Sequence, residues 1–196
     1  MKIMEIPAQL ILFSIPAIAY FIIQIRRGEK RSKVVKNLGL SGCAHRFYLE
    51  GLVVAIVIGV PMWLVLQRIP SEVFENQMVS ISIYEGMSLG LSSFFYVLFR
   101  EVFYVALGEE ILFRGLLGGY FVRRFGFKMG NILQAFVFLV PHLLLLYVSI
   151  SFSVVVVAQF FAGWIFGWLR SRSGSIFPSW LAHSLVNTLG ALLTMI

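Results

Sequence analysis

Residues 98–119 read LFREVFYVALGEEILFRGLLGG. Most of the stretch is apolar, yet it carries Arg100, Glu101, Glu109, Glu110 and Arg114. In a soluble protein such charges would form a solvated helix face. Here the flanking sequence excludes that reading, because apolar runs of membrane-spanning length lie on both sides, and a span needs roughly 20 apolar residues. The enclosing apolar region covers about 81–122, too long for one upright span. It is expected to break or tilt near Gly108 and to end at Arg123-Arg124.

Outward from this segment, span-length runs cover about Ile6–Ile25, Leu49–Leu66, Asn131–Ser149, Phe152–Leu169 and Ile176–Ile196. Pro61 is placed to kink the second. Ala17-Ile18-Ala19 resembles a signal-peptidase site, but the apolar run continues to Ile25 and stops at a basic cluster, so a retained helix is expected. Of the 196 residues, 59% are hydrophobic and 13% charged, about half the charge of a soluble domain. The fold class is therefore all-α, a polytopic membrane helical bundle of about six transmembrane helices, with 1–196 as a single integral membrane domain. Nineteen Phe, seven Tyr and four Trp suit lipid-facing and interfacial positions. The lone Cys43 excludes an internal disulfide and any cysteine-based metal cluster. Gly115/Gly119 and Gly163/Gly167 have the small-xxx-small spacing of closely packed membrane helices.

The net charge of +7 would point to nucleic acid in a soluble chain. Its distribution points elsewhere, and no nucleic-acid partner is expected. Twelve Lys and Arg fall in three connections, 26–46, 123–128 and 170–172, whereas the opposite side holds Lys2 and Arg68. The positive-inside rule makes those connections cytoplasmic and leaves both termini outside, as in the cytoplasmic membrane of a prokaryote.

An ionisable residue within a span costs several kcal/mol unless paired, so each one calls for a reason. At about 1.5 Å per helical residue, Glu109 lies roughly 21 Å from the end of its helix, His142 roughly 16 Å and His183 roughly 10 Å. Three helices thus place a carboxylate and two imidazoles in one layer. Glu110 and Arg114 stand i,i+4, the spacing of a structural ion pair. Glu109 points about 100° away around the helix and is free to act as a base. Phe138/His142 and His183/Asn187 are also i,i+4. Glu and His together activate water, and His with Asn stabilises a developing oxyanion. Zinc on Glu109, His142 and His183 is the alternative. No HExxH helix favours it, so spacing alone does not point to a metal. Ser179 and Ser184 lie near His183 but in no nucleophile-elbow motif. Arg100 and Glu101 receive no chemistry.

Glu109-Glu110-Ile-Leu-Phe-Arg114, Phe138-Leu-Val-Pro-His142 and His183-Ser-Leu-Val-Asn187 are similar, in this order, to the EExxxR, FxxxH and HxxxN motifs of the CPBP family. That family, also called Abi, comprises CAAX proteases and bacteriocin-processing enzymes, among them type II CAAX prenyl endopeptidases. The resemblance covers about Leu98 to Thr194. It implies a helical intramembrane endopeptidase that works without a metal, with Glu109 as general base and His142 positioning the water. His183 and Asn187 would form the oxyanion hole, with Glu110, Arg114 and Phe138 supporting the site. The expected partners are membrane lipids and a hydrophobic or lipidated peptide substrate. The chain has fewer spans before the first motif than the eukaryotic CAAX enzymes, so a prenyl-CAAX substrate does not follow. Two other readings are a non-catalytic scaffold or immunity protein binding a peptide, and a proton-coupled carrier. The carrier lacks the internal repeat that such folds show.

Overall fold

The computed structural model describes residues 7–193 and 195; Ile6 of the first expected span and Thr194 and Ile196 of the last lie outside them. Among the described residues all regular structure is helical. Helix α1 (Ala8–Arg26) runs to the basic end of the molecule, where the short α2 (Arg31–Asn37) crosses. Helix α3 (Arg46–Leu66) returns, with Pro61 inside one continuous helix. Residues 71–75 and 80–84 then form 3₁₀ turns.

The expected third span is corrected at both its start and its middle. Ile81 does not open a membrane helix, since it lies in the turn Ser80–Tyr84. The helix starts as α4 (Leu91–Phe99) after the extended Gly90. It does not break at Gly108. Instead α4 leads through a π-helical stretch, Arg100–Ala106, into α5 (Leu107–Glu109) and a second π-helical stretch, Glu110–Gly118. π-Helical geometry is rare and often occurs at functional sites. Gly108 has a different role: a Cβ there would lie 2.8 Å from Leu10 Cα, so the missing side chain lets α1 touch this helix.

Helix α6 (Gly119–His142) carries the reversal. Gly126 sits at φ 75°, ψ 168°, a conformation open to glycine and strained for other residues. On either side the chain folds back on itself. A Cβ on Gly130 would stand 2.6 Å from the Phe121 carbonyl carbon, and the Phe113 and Phe138 rings meet edge-to-face at 5.2 Å. The apolar helical stretch Leu91–Val148 therefore crosses the membrane twice. After α7 (Leu144–Val148) and a 3₁₀ turn at Ile150–Phe152, α8 (Ser153–Ser173) descends and α9 (Phe177–Leu193) rises. Gly174, at φ 70°, closes α8 by donating its N–H to the Arg170 carbonyl.

Four helical stretches among the described residues, Ala8–Arg26, Arg46–Leu66, Leu91–Val148 and Ile150–Ser173, are long and apolar enough to cross a membrane, in keeping with a helical membrane bundle, and the chain is an integral membrane protein. The side chains of Leu12, Ile56 and Val157 face outward at 62%, 65% and 58% exposure, the inverse of a soluble protein and the norm in lipid. The interior forms where α3, α8 and α9 meet, around Val54, Ala55, Phe166, Leu169 and Ala182. Small residues set the spacing. A Cβ on Gly51 would meet the Pro178 carbonyl at 2.7 Å, and one on Gly163 would meet the Phe138 ring at 2.9 Å. Both Gly-xxx-Gly pairs thus lie at close contacts, Gly115/Gly119 against Leu38 and Asn37 and Gly163/Gly167 against α6.

Candidate active site

The adjacent Glu109 and Glu110 fall on different sides of their helix, as the 100° step demands. Glu110 is completely buried. It pairs with Arg114 Nη1 at 3.2 Å, also completely buried. The same carboxylate accepts from His183 Nδ1 at 3.0 Å and from the Ser179 hydroxyl at 2.6 Å. Three donors from two helices compensate one charge, the condition for a carboxylate to survive in a dry interior. The Arg114 guanidinium lies 4.0 Å from the centroid of the Phe138 ring, a cation–π contact that helps to hold it there.

Glu109 is held more loosely. Its Oε1 accepts from Gln9 Nε2 at 2.5 Å, a contact that brings α1 into the site. Its Oε2 is buried with no hydrogen-bond partner among the described residues, and His183 Nε2 stands 3.6 Å away. Glu110 therefore holds one ring nitrogen of this imidazole, while Glu109 faces the other without a hydrogen bond. The ring itself is sandwiched, stacking on Phe166 with a centroid distance of 5.1 Å and meeting Phe138 edge-on at 5.9 Å.

His142 Nδ1 lies 2.8 Å from the Phe138 carbonyl oxygen. A carbonyl only accepts, so Nδ1 carries the hydrogen and Nε2 is left as an acceptor. Asn187 donates from Nδ2 to Glu101 Oε2 at 3.3 Å. An amide nitrogen has two hydrogens, so one remains after this bond. Glu101 is fixed in turn by Tyr84 OH at 2.5 Å and Arg100 Nη1 at 3.1 Å. Burial and the Glu101 carboxylate push the Tyr84 phenol well above its ordinary range, which keeps it a donor.

Glu109, His142, His183 and Asn187 line one cavity of about 270 Å3, together with Gln9 and Glu101. Glu110, Arg114 and Phe138 lie behind it. All seven residues picked out from the sequence are thus in or against a single site. Ser179 and Ser184 spend their hydroxyls on Glu110 and on the Trp180 carbonyl respectively. Zinc sites use three protein ligands converging on one point. Among the described residues no three His, Cys or Glu side chains do so, and the donor set as arranged does not fit zinc.

Residues 91–189, half of the chain, match the family described as type II CAAX prenyl endopeptidase, Rce1-like. The chain belongs to this family. No curated protein and no solved structure matches it. The Rce1-like family is one of proteases, and the matched segment contains all three motifs, the two π-helical stretches and the hairpin at Gly126. Gln9 lies outside it. That residue was missed in the sequence, where it is a lone amide near the start of an apolar run; an isolated polar side chain in a span is the signal that marks it. Glu101 was noticed but given no task; its partner Asn187 is 86 residues away, beyond the reach of local spacing.

Proposed function

We propose that this protein is an intramembrane endopeptidase of glutamate type that cleaves a membrane-anchored or lipidated peptide. The observation that carries the reading is Glu109 Oε2, a buried carboxylate oxygen without a hydrogen-bond partner, facing His183 across 3.6 Å in a largely apolar cavity where a few polar groups converge. A water between Glu109 and His142 gives one hydrogen to the carboxylate and the other to the free Nε2 of His142. Its lone pair is then directed at the scissile carbonyl. Glu109 takes the proton as the carbon–oxygen bond forms and returns it to the leaving amine when the carbon–nitrogen bond breaks. The second N–H of Asn187 and, in the imidazolium form, the Nε2–H of His183 meet the oxyanion. Glu110 holds that imidazole from behind, and Glu101 sets the direction of the Asn187 amide. The basic connections lie on the cytoplasmic face of a prokaryotic membrane, with both termini outside.

The test is cleavage by the purified protein in liposomes, with prenylated CAAX peptides and short transmembrane peptides as substrates and mass spectrometry as readout. Wild type cleaves at one position in a subset of the panel, chelator leaves the rate unchanged, and Glu109→Gln reduces it by at least about 1,000-fold, the scale of losing a general base together with its water site. Cleavage undiminished in Glu109→Gln would overturn the mechanism. Loss of cleavage on chelation alone would return Glu109, His142 and His183 to the role of metal ligands.

A further inference from the structure

A second polar cavity, of about 290 Å3, opens at the basic end of the bundle between α2, α6 and α8. Its lining includes Lys36, Arg114, Arg123 and Arg170, and no acidic side chain. Of these four cations Arg114 alone has a carboxylate, Glu110; among the described residues the other three form no ion pair. Arg123 Nη1 and Arg170 Nη2 both point at the Asn37 carbonyl oxygen, at 3.1 and 3.4 Å. Two guanidinium groups therefore stand side by side at the C-terminus of α2. A helix end offers about half a negative charge, which falls short of two cations.

The hydrogen-bond inventory is equally incomplete. Arg170 Nε, Arg114 Nε and Arg114 Nη2 are buried without acceptors, although buried donors are ordinarily satisfied. Arg114 is completely buried, so its own N–H groups are not in contact with bulk water. Gly118, Gly119 and Gly167 line the cavity and let its walls pack closely, since a Cβ on Gly119 would lie 2.7 Å from the Asn37 carbonyl oxygen and 2.9 Å from Arg123 Nη1. Forked N–H donors of this kind are matched by an oxyanion that offers several acceptor oxygens.

We propose that this cavity binds a phosphate-type oxyanion, with Arg123, Arg170 and Lys36 as its donors and Arg114 as its floor. The cavity sits among the basic connections at one end of the bundle, and basic pockets between membrane helices hold phospholipid headgroups. The phosphodiester of an anionic lipid and a free phosphate share the required chemistry. The site is distinct from the Glu109 cavity and does not depend on proteolysis, although the line Arg114–Glu110–His183 connects the two.

The experiment uses the full chain in a neutral detergent. Thermal unfolding and native mass spectrometry are followed with phosphatidylglycerol, with phosphatidylcholine and with inorganic phosphate. Phosphatidylglycerol is expected to raise the Tm and to leave a one-to-one adduct, while phosphatidylcholine does neither. Protection by inorganic phosphate alone would assign the site to the free anion. In the double variant Arg123→Gln/Arg170→Gln, binding of the effective probe weakens by about tenfold to a hundredfold. Lys36→Gln, an exposed position, gives a several-fold loss and serves if the double variant fails to fold. The proposal is overturned if neither phosphate probe binds better than phosphatidylcholine, or if the folded variants bind like wild type; the arginines then serve only to cap α2.

Discussion

Glu109 and Glu110 are neighbours to which the proposed mechanism gives opposite tasks, and the number of donors around each is the reason. Glu110 is ion-paired with an arginine and accepts from a histidine and a serine, so its loss strands Arg114 in a dry interior. Removing one member of such a buried pair costs about 3–5 kcal/mol, and Glu110→Gln is expected to unfold at a clearly lower temperature in detergent. Glu109→Gln, which leaves Arg114 paired, should keep the wild-type melting curve while cleavage is lost; equal destabilisation of the two variants would refute the division of roles. Gln9→Leu tests the contact from α1. The amide holds one oxygen of Glu109 and leaves the other free, so the variant folds but loses about tenfold in kcat with little change in KM, the worth of one hydrogen bond to a charged group. Asn187→Ala should lower kcat by about 100- to 1,000-fold, the effect of removing one oxyanion donor. An unchanged kcat would remove Asn187 from the oxyanion site.

At the scale of helices, local spacing made some relations legible in the sequence and left others out of reach. The i,i+4 pairing of Glu110 with Arg114 depends on one helix alone and was readable. So was the reversal between Arg124 and Asn131, because charge and hydropathy both change there. The start of the third span was misjudged because Ile81 and Ile83 are apolar yet lie in a tight turn ending at Tyr84, whose ring is buried against Tyr96. Gly108 looked like a break because glycine is poor within helices. Its actual reason is the approach of another helix about 100 positions earlier, which no local pattern records. The same reach explains why Ser179 and Gln9 were not assigned to Glu110 and Glu109. Gly108→Val is a direct check. Its side chain would collide with the α1 backbone at Leu10, so the Tm should fall by an amount equivalent to about 1–3 kcal/mol and cleavage should drop with it. A Gly108→Val protein as stable and active as wild type would mean that α1 is not seated there.

For the whole molecule the distribution of charge predicts a topology that can be tested without knowing any substrate. A phosphatase fused after Ile196 should be active outside the cytoplasm, while fusions at Gly28 or Gly174 should be silent; the reverse pattern would invert the assignment of the basic end. The hairpin at Gly126 has a further consequence, for biosynthesis. Asn131 and Gln134 on the return arm of α6 are completed by the Trp164 and Gly163 carbonyls of α8. Until α8 has left the ribosome, those two side-chain amides have each other, Gln134 Nε2 donating to Asn131 Oδ1 at 3.1 Å, but lack the two carbonyl acceptors, and the unmet N–H groups are costly to leave in lipid. The return arm is therefore a poor passenger by itself. Its release into the bilayer is expected to wait for the next helix, so that α6 and α8 enter the membrane as a delayed, coupled pair.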